Sequence, residues 1–189
     1  MNIPVPPALL LIDIQKGMDD LAYWGGERNN PNAEEQAARL LALWREKAWP
    51  LFHIKHNSTN PESRLVKGKP GNEIKELVRP LNSETVIEKS VNSAFIGTDL
   101  QQRLDQQGIK TLVIVGLTTN HCVSTTTRMA GNLGYETYLV SDATATFNRV
   151  GVDGKQFSAE IMHATELASL EGEFTRVLST EDLLRLLKA

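Results

Sequence analysis

Three reactive side chains stand at or just beyond the ends of apolar segments of the sequence. Asp13 ends the run Leu-Leu-Leu-Ile-Asp, Lys89 follows Thr-Val-Ile-Glu, and Cys122 lies six residues after Gly116 at the start of a predicted helix. A thiol can attack a carbonyl carbon, a carboxylate can take up and return the proton, and an ammonium stabilises nearby negative charge. If these side chains meet, they could catalyse acyl transfer to water through a covalent intermediate.

Cys122 is the only cysteine of the chain. Its thiol must ionise to become a strong nucleophile, and an unperturbed pKa of about 8.5 leaves little thiolate at neutral pH. The N–H groups at a helix start and a nearby lysine ammonium both favour the anion, so this position predicts a lowered pKa for the Cys122 thiol. The same N–H groups could hold the oxyanion of a tetrahedral intermediate. The alternative is an inert cysteine packed beneath the helix.

Asp13 and Lys89 also have non-catalytic interpretations. An aspartate at a strand end often hydrogen-bonds the backbone of the following turn. A lysine beside Glu88, Ser90 and Asn92 is typical of a solvated surface. Only convergence with the thiol would make the carboxylate a general base and the lysine its electrostatic partner.

The segments around these residues alternate between short apolar runs and amphipathic stretches, which is typical of a parallel sheet covered by helices. We predict six strands, over residues 8–13, 49–55, 84–88, 111–116, 136–140 and 175–178. Helices are predicted over residues 32–47, 100–107, 120–133 and 155–168, with a last helix from Thr180. The fold class is therefore α/β, with about six parallel strands in a doubly wound sheet. Because parallel strands end at one edge, the three reactive side chains are expected to converge there.

Two long connections follow predicted strands and lie at the same edge of the sheet. Residues 15–31 include Trp24, and residues 56–83 begin with His56. Long structured loops at this edge usually shape a binding site, although they are also tolerated as surface insertions. Trp24 could stack on a substrate or pack on its own domain, His56 could line the pocket, and Phe95 could form a pocket wall or belong to the core.

The bulk properties narrow the class of partner. A length of 189 residues suits one domain spanning residues 1–189. The formal charge of −3 gives no electrostatic reason to expect nucleic acid or an anionic membrane as a partner, so a small-molecule substrate is expected.

No apolar run is long enough to cross a membrane and no signal-peptide pattern opens the chain, which predicts a cytoplasmic location. A single cysteine cannot form an intramolecular disulfide, in agreement with a reducing compartment.

Three segments resemble the sequence blocks of the isochorismatase-like cysteine hydrolases. They read Leu10-Leu-Ile-Asp-Ile-Gln15, Glu88-Lys-Ser-Val-Asn-Ser-Ala-Phe95 and Val115-Gly-Leu-Thr-Thr-Asn-His-Cys-Val123, in the family's order and spacing. The resemblance implies a three-layer αβα fold with Asp13, Lys89 and Cys122 as a catalytic triad. It also implies a cis peptide between Leu117 and Thr118, and an oxyanion hole formed by the backbone N–H groups of Thr118 and Cys122. It implies no cofactor, and the family usually forms homo-oligomers.

The resemblance also separates branches of that family. Branches similar to nicotinamidase carry an Asp-x-His metal motif after the second strand, whereas this chain has His53 and His56, three residues apart and on opposite faces of a strand. A shared metal ion is therefore not expected. True isochorismatases lack the nucleophilic cysteine, so Cys122 indicates attack on an amide-like carbon, with enzymes similar to streptothricin hydrolase as the nearest functional guess. Two alternatives stay open: an isochorismatase-type ether hydrolase and a non-enzymatic, flavodoxin-like ligand-binding protein.

Overall fold

Six parallel strands form the central sheet of the computed structural model, which describes residues 3–4 and 6–188. The strands of this sheet are β1 (Ala8–Ile12), β2 (Leu51–His56), β3 (Thr85–Lys89), β4 (Thr111–Leu117), β5 (Glu136–Ala145) and β8 (Arg176–Leu178). Two short strands, β6 (Arg149–Val150) and β7 (Gln156–Phe157), pair as an antiparallel hairpin beside it. The helices are α1 (Leu21–Trp24), α2 (Ala33–Lys47), α3 (Leu100–Gln106), α4 (Ser124–Asn132), α5 (Ala159–Leu170) and α6 (Thr180–Lys188).

The strand order of the sheet is β3-β2-β1-β4-β5-β8, so the order reverses between β1 and β4. Both neighbours of β1 run parallel to it. In an open α/β sheet, ligands bind outside the carboxyl ends of the strands at such a reversal. Asp13 follows β1 and Cys122 follows β4, so the topology places both at this point.

Strand β1 shows why the sheet is covered on both faces. All five of its residues are buried, and their side chains alternate between two hydrophobic clusters. Leu10 and Ile12 pack into a cluster that includes residues of α3, α4 and α5. Leu9 and Leu11 pack into a second cluster, with residues of α2 and α6. A strand buried on both faces is continuously apolar, which is how this segment reads in the sequence. The predicted doubly wound α/β fold is confirmed.

Three predicted segments differ most from the observed elements, and the others agree to within one or two residues at their ends. The strand predicted over 136–140 continues to Ala145, with a register shift opposite Ile114 and Gly116. The helix predicted over 155–168 begins only at Ala159, because Ser158 caps it by accepting a hydrogen bond from the N–H of Ile161. The residues before that cap form the β6–β7 hairpin. The helix predicted over 120–133 opens with a π-helical turn, Thr119–Val123, before α4 begins.

Gly116 lets the ends of β1 and β4 approach closely. Its φ of 123° is in a region that L side chains rarely adopt, and a Cβ atom at this position would lie 2.0 Å from the carbonyl oxygen of Ile12. Only glycine fits between these two strand ends. The close approach brings Asp13, which follows Ile12, towards the turn that carries Cys122.

Among the described residues, no helix has the length and apolar character that a membrane crossing requires.

Candidate active site

Asp13 leaves β1 in a left-handed backbone conformation, with φ of 50°. Aspartate is one of the few residue types besides glycine that adopts this conformation. Its side chain is fully buried, and Oδ2 accepts a hydrogen bond of 2.7 Å from Nζ of Lys89. Oδ1 is buried without a hydrogen-bond partner within residues 3–4 and 6–188. One carboxylate oxygen is therefore held by the lysine, and the other has an unused lone pair.

Lys89 ends β3 and its side chain is fully buried, which rules out the solvated surface lysine as an interpretation. Its ammonium donates to Oδ2 of Asp13, to Nδ1 of His56 at 3.1 Å and to the carbonyl oxygen of Val91 at 3.2 Å. An ammonium has three hydrogens, and each has an acceptor here. A buried ammonium is costly unless it is paired, and these three acceptors supply its partners.

Cys122 lies in the π-helical turn between β4 and α4 and is 9% exposed. Its Sγ donates a long hydrogen bond of 3.7 Å to Oδ1 of Asn92. A carboxylate oxygen of Asp13, a ring nitrogen of His56 and this sulfur lie within 4.8 Å of one another. The fold therefore brings together the thiol, the carboxylate and the ammonium that the sequence places far apart.

The prediction of a lowered thiol pKa is wrong. Burial raises the pKa of Cys122 well above its ordinary value, and the negative charge of Asp13 raises it further. The positive charge of Lys89 acts in the opposite direction but does not outweigh burial and the charge of Asp13. A raised pKa favours the protonated thiol. Ionisation then requires a base to take the proton during attack, and Asp13 is the adjacent base.

A cavity of about 200 Å³ opens over these residues. Its wall is made by Asp13, Met18, Tyr23, Trp24, His56, Ser58, Asn60, Ser63, Leu65, Asn92, Thr118, His121 and Cys122. Both long loops contribute to it, as does the turn after β4. The peptide bond between Leu117 and Thr118 is cis. The lining combines a few apolar side chains (Met18, Trp24 and Leu65) with many polar ones, and the volume has room only for a small ligand.

Trp24 both packs on its own domain and lines the cavity. Its Nε1 donates to the carbonyl oxygen of Gly17 at 2.7 Å, and its ring stacks on Phe147 at a centroid distance of 6.0 Å. Phe95 does not line the cavity. It is buried in the hydrophobic cluster beneath α3 and α4 and stacks on Tyr135 at 5.8 Å. Phe95 is close to Lys89 in the sequence. The sequence does not show, however, to which side of the sheet the chain turns after β3.

His56 has a fixed backbone and a neutral ring. Gln15 accepts from its N–H at 2.8 Å and donates to its carbonyl oxygen at 3.0 Å, and Asn72 donates to the same oxygen. Burial and the charge of Lys89 lower the pKa of His56. His53 lies elsewhere, with Nε2 3.0 Å from Oε2 of Glu84. The two histidines therefore do not share a site.

The donor set of Asp13, His56 and Cys122 contains oxygen, nitrogen and sulfur, which are the ligand types of zinc. The ammonium of Lys89, however, is hydrogen-bonded to Nδ1 of His56 and to one carboxylate oxygen of Asp13. A metal ion would have to displace that cation. The residues present do not fit a resident metal.

His121 and Asn92 line the cavity, although the sequence assigned neither a role. Nδ1 of His121 is 3.4 Å from Oγ1 of Thr118 and 3.4 Å from Nη2 of Arg149. Burial and the charge of Arg149 lower the pKa of His121. Asn92 is three residues after Lys89, inside one of the recognised blocks, and this proximity is the only sequence signal that could have identified it.

Fold and site together define a class: α/β proteins that carry a thiol, a carboxylate and an ammonium at the switch point of a parallel sheet. The isochorismatase domain matches residues 7–182 of the chain. YrdC, an uncharacterised isochorismatase-family protein of Bacillus subtilis, is 48% identical over 177 residues, covering 94% of each chain. A crystal structure of an isochorismatase-family protein from Chromobacterium violaceum superposes with a TM-score of 0.95 at 43% identity, covering 100% of this chain and 97% of that one.

Relatives with named activities are more distant. Maleamate amidohydrolase of Pseudomonas putida is 27% identical, over 96% of this chain and 87% of its own length. Streptothricin hydrolase of Streptomyces noursei is 31% identical, over 75% of this chain and 50% of its own length. The chain belongs to the isochorismatase family, and it is a hydrolase. The resemblance drawn from the three sequence blocks is confirmed.

Proposed function

We propose that this hydrolase cleaves the C–N bond of a small amide through a thioester on Cys122. The observation that carries the proposal is the meeting of a thiol, a carboxylate and an ammonium around one cavity. The residues that supply them are 76 positions apart (Asp13 to Lys89) and 33 positions apart (Lys89 to Cys122) in the chain. The name of the amidohydrolase relative agrees with an amide as substrate.

The first half of the reaction forms the thioester. Sγ of Cys122 attacks the carbonyl carbon while its proton passes to Asp13, and the carbonyl π electrons move to oxygen. The backbone N–H groups of Thr118 and Cys122 are the proposed donors to this oxyanion. Such donors contribute roughly 2.7–4 kcal/mol each in enzymes where one has been removed. The intermediate then collapses, the C–N bond breaks, and Asp13 returns the proton to the leaving amine.

The second half hydrolyses the thioester. Asp13, again ionised, takes a proton from a water molecule that attacks the acyl carbon, and the proton then returns to the departing sulfur of Cys122. Lys89 stays hydrogen-bonded to Oδ2 throughout, so the unpaired Oδ1 is the oxygen available for proton transfer.

An ether hydrolase of the isochorismatase type is the alternative, and it needs no acyl-enzyme. The test is mass spectrometry of the acid-quenched protein during turnover of small amides, lactams and carbamoyl compounds. We expect the Cys122 peptide to gain the mass of the acyl group. Incubation with the product acid is the control and should leave the peptide unmodified.

Two substitutions complete the test. Cys122→Ala should abolish both the adduct and hydrolysis, and Cys122→Ser should reduce hydrolysis by orders of magnitude because the serine hydroxyl is a far weaker acid. Amide turnover that persists in Cys122→Ala, or turnover of a vinyl ether by that variant, would reject the thioester route in favour of the alternative.

A further inference from the structure

Asn92 places a side-chain oxygen beside the nucleophile, and the reaction described above does not use it. Its Oδ1 accepts the S–H of Cys122 at 3.7 Å, and the side chain lines the cavity. A carboxylate oxygen of Asp13 lies within 4.8 Å of the same sulfur, yet Oδ1 of Asp13 accepts no hydrogen bond within residues 3–4 and 6–188. In the resting protein the S–H is therefore held by a neutral amide and not by the proposed base.

The backbone on both sides of Asn92 is fixed by contacts that do not involve its side chain. The carbonyl oxygen of Val91 accepts from Nζ of Lys89 at 3.2 Å, and the N–H of Ala94 donates to Oγ1 of Thr126 at 3.1 Å. The segment between β3 and α3 is thus tied to the end of β3 and to α4. Because the Asn92 side chain is itself exposed, it can be replaced without opening the core.

The nitrogen of a substrate amide must lie next to Sγ of Cys122, because it is bonded to the carbon that the sulfur attacks. A carboxylate oxygen of Asp13, a ring nitrogen of His56 and Oδ1 of Asn92 are polar groups beside this sulfur. Asp13 receives the thiol proton in the proposed reaction, and Nδ1 of His56 already contacts Nζ of Lys89. Oδ1 of Asn92 is then an acceptor that becomes free when the S–H turns away.

We propose that Asn92 binds the N–H of the scissile amide and thereby selects amides over esters. This inference rests on the proposed function. The incoming N–H replaces the S–H on Oδ1 of Asn92, and the S–H turns to Asp13, which takes its proton as Sγ attacks. An ester has an oxygen where the amide has its N–H, and two acceptors that face each other form no hydrogen bond. The substrate class is then that of amides that keep at least one hydrogen on nitrogen.

The first experiment needs no substrate. Cys122 is the only cysteine, so the S–H stretching band in the infrared spectrum belongs to it alone. Asn92→Ala removes the acceptor of this S–H, and we expect the band to shift. Asn60→Ala is the control, because Asn60 lines the same cavity but its Oδ1 accepts from the N–H of Glu62, and it should leave the band in place. A band that does not move in Asn92→Ala would overturn the inference.

The second experiment measures kcat/KM for pairs of an N-methyl amide and a methyl ester with the same acyl group (acetyl, butyryl or benzoyl). The two members of a pair differ only in N–H against O. We expect Asn92→Ala to lower the amide-to-ester ratio of kcat/KM roughly 3- to 10-fold, the loss typical of removing one hydrogen bond. Asn92→Asp keeps an oxygen acceptor and should retain the ratio. Asn82→Ala, at an exposed asparagine outside the cavity lining, should also leave it unchanged.

The outcomes separate this inference from the proposed function. If amides form the Cys122 adduct and Asn92→Ala leaves the amide-to-ester ratio unchanged, the inference is overturned and the proposed function stands. Equal losses for amide and ester in Asn92→Ala would assign Asn92 a structural role only and would also overturn the inference. If wild type forms no adduct with any amide, the proposed function fails and the inference fails with it.

Discussion

Nζ of Lys89 lies 2.7 Å from Oδ2 of Asp13, and both side chains are completely shielded from solvent. Removing two charges from water is costly, and their mutual attraction offsets that cost only while both are present. The pair therefore holds a carboxylate inside the protein, beside a thiol. Its consequences for stability and for reactivity can be measured separately.

Lys89→Met leaves Asp13 as a buried, uncompensated carboxylate. We expect a loss of about 3–5 kcal/mol in the free energy of unfolding, measured by urea denaturation at pH 7. Lys67→Met is the matched control, because Lys67 pairs with Glu88 on the surface, where the two side chains are 67% and 40% exposed. That substitution should cost less than about 1 kcal/mol. Equal losses in the two variants would contradict the ion pair's role.

Asp13→Asn separates the reactivity of the thiol from catalysis. Because the charge of Asp13 raises the pKa of Cys122, its removal lowers that pKa, and Lys89 is left to stabilise the thiolate. We expect iodoacetamide to alkylate this variant faster than wild type at pH 7–8, while amide hydrolysis is lost. Lys89→Met should instead raise the pKa of the Cys122 thiol and slow its alkylation. Asp105→Asn is the control, because Asp105 is an exposed residue of α3. This substitution should leave the rate of alkylation unchanged. Slower alkylation of folded Asp13→Asn would contradict the electrostatics described for the site.

Gly116→Ala should disrupt the approach of β1 and β4. The added methyl group would meet the carbonyl oxygen of Ile12 at 2.0 Å, and backbone atoms of a central strand cannot move aside easily. We expect a loss of roughly 3 kcal/mol or more in the free energy of unfolding, together with loss of activity. Gly134→Ala is the control: its φ is also positive, at 86°, but no atom lies within 4 Å of the new Cβ. It should cost only about 1–2 kcal/mol.

Glu84 makes the free energy of unfolding depend on pH in the acid range. Burial alone would raise the pKa of its carboxyl, but hydrogen bonds from Arg45, from the N–H of Leu81 and from His53 outweigh burial and lower it to about 2. The stabilisation is present above the ordinary pKa of 4.5 and is lost as the pH falls towards 2. Wild type should therefore exceed Glu84→Gln in unfolding free energy at pH 6, and the difference should shrink between pH 4.5 and pH 2. A difference independent of pH over that range would contradict the assignment.

The fold and the convergence at its switch point could be predicted because they depend on local patterns. Continuous apolar runs such as that of β1 indicate strands buried on both faces, and the spacing of Leu40, Leu41 and Trp44 indicates one face of α2. Parallel strands joined by helices must end at one edge, so Asp13 and Cys122 had to approach each other. The β6–β7 hairpin was missed because strands of two residues have no period that a sequence can show.

The sequence by itself determined which reactive side chains this protein has and at which edge of the sheet they lie. Only the tertiary structure decided what those groups do to one another. The thiol of Cys122 is more basic than its helix position suggested, and Phe95 turns into the core. The reason is that desolvation and Coulomb energies depend on distances through space, and separations along the chain leave those distances open until the side chains are packed.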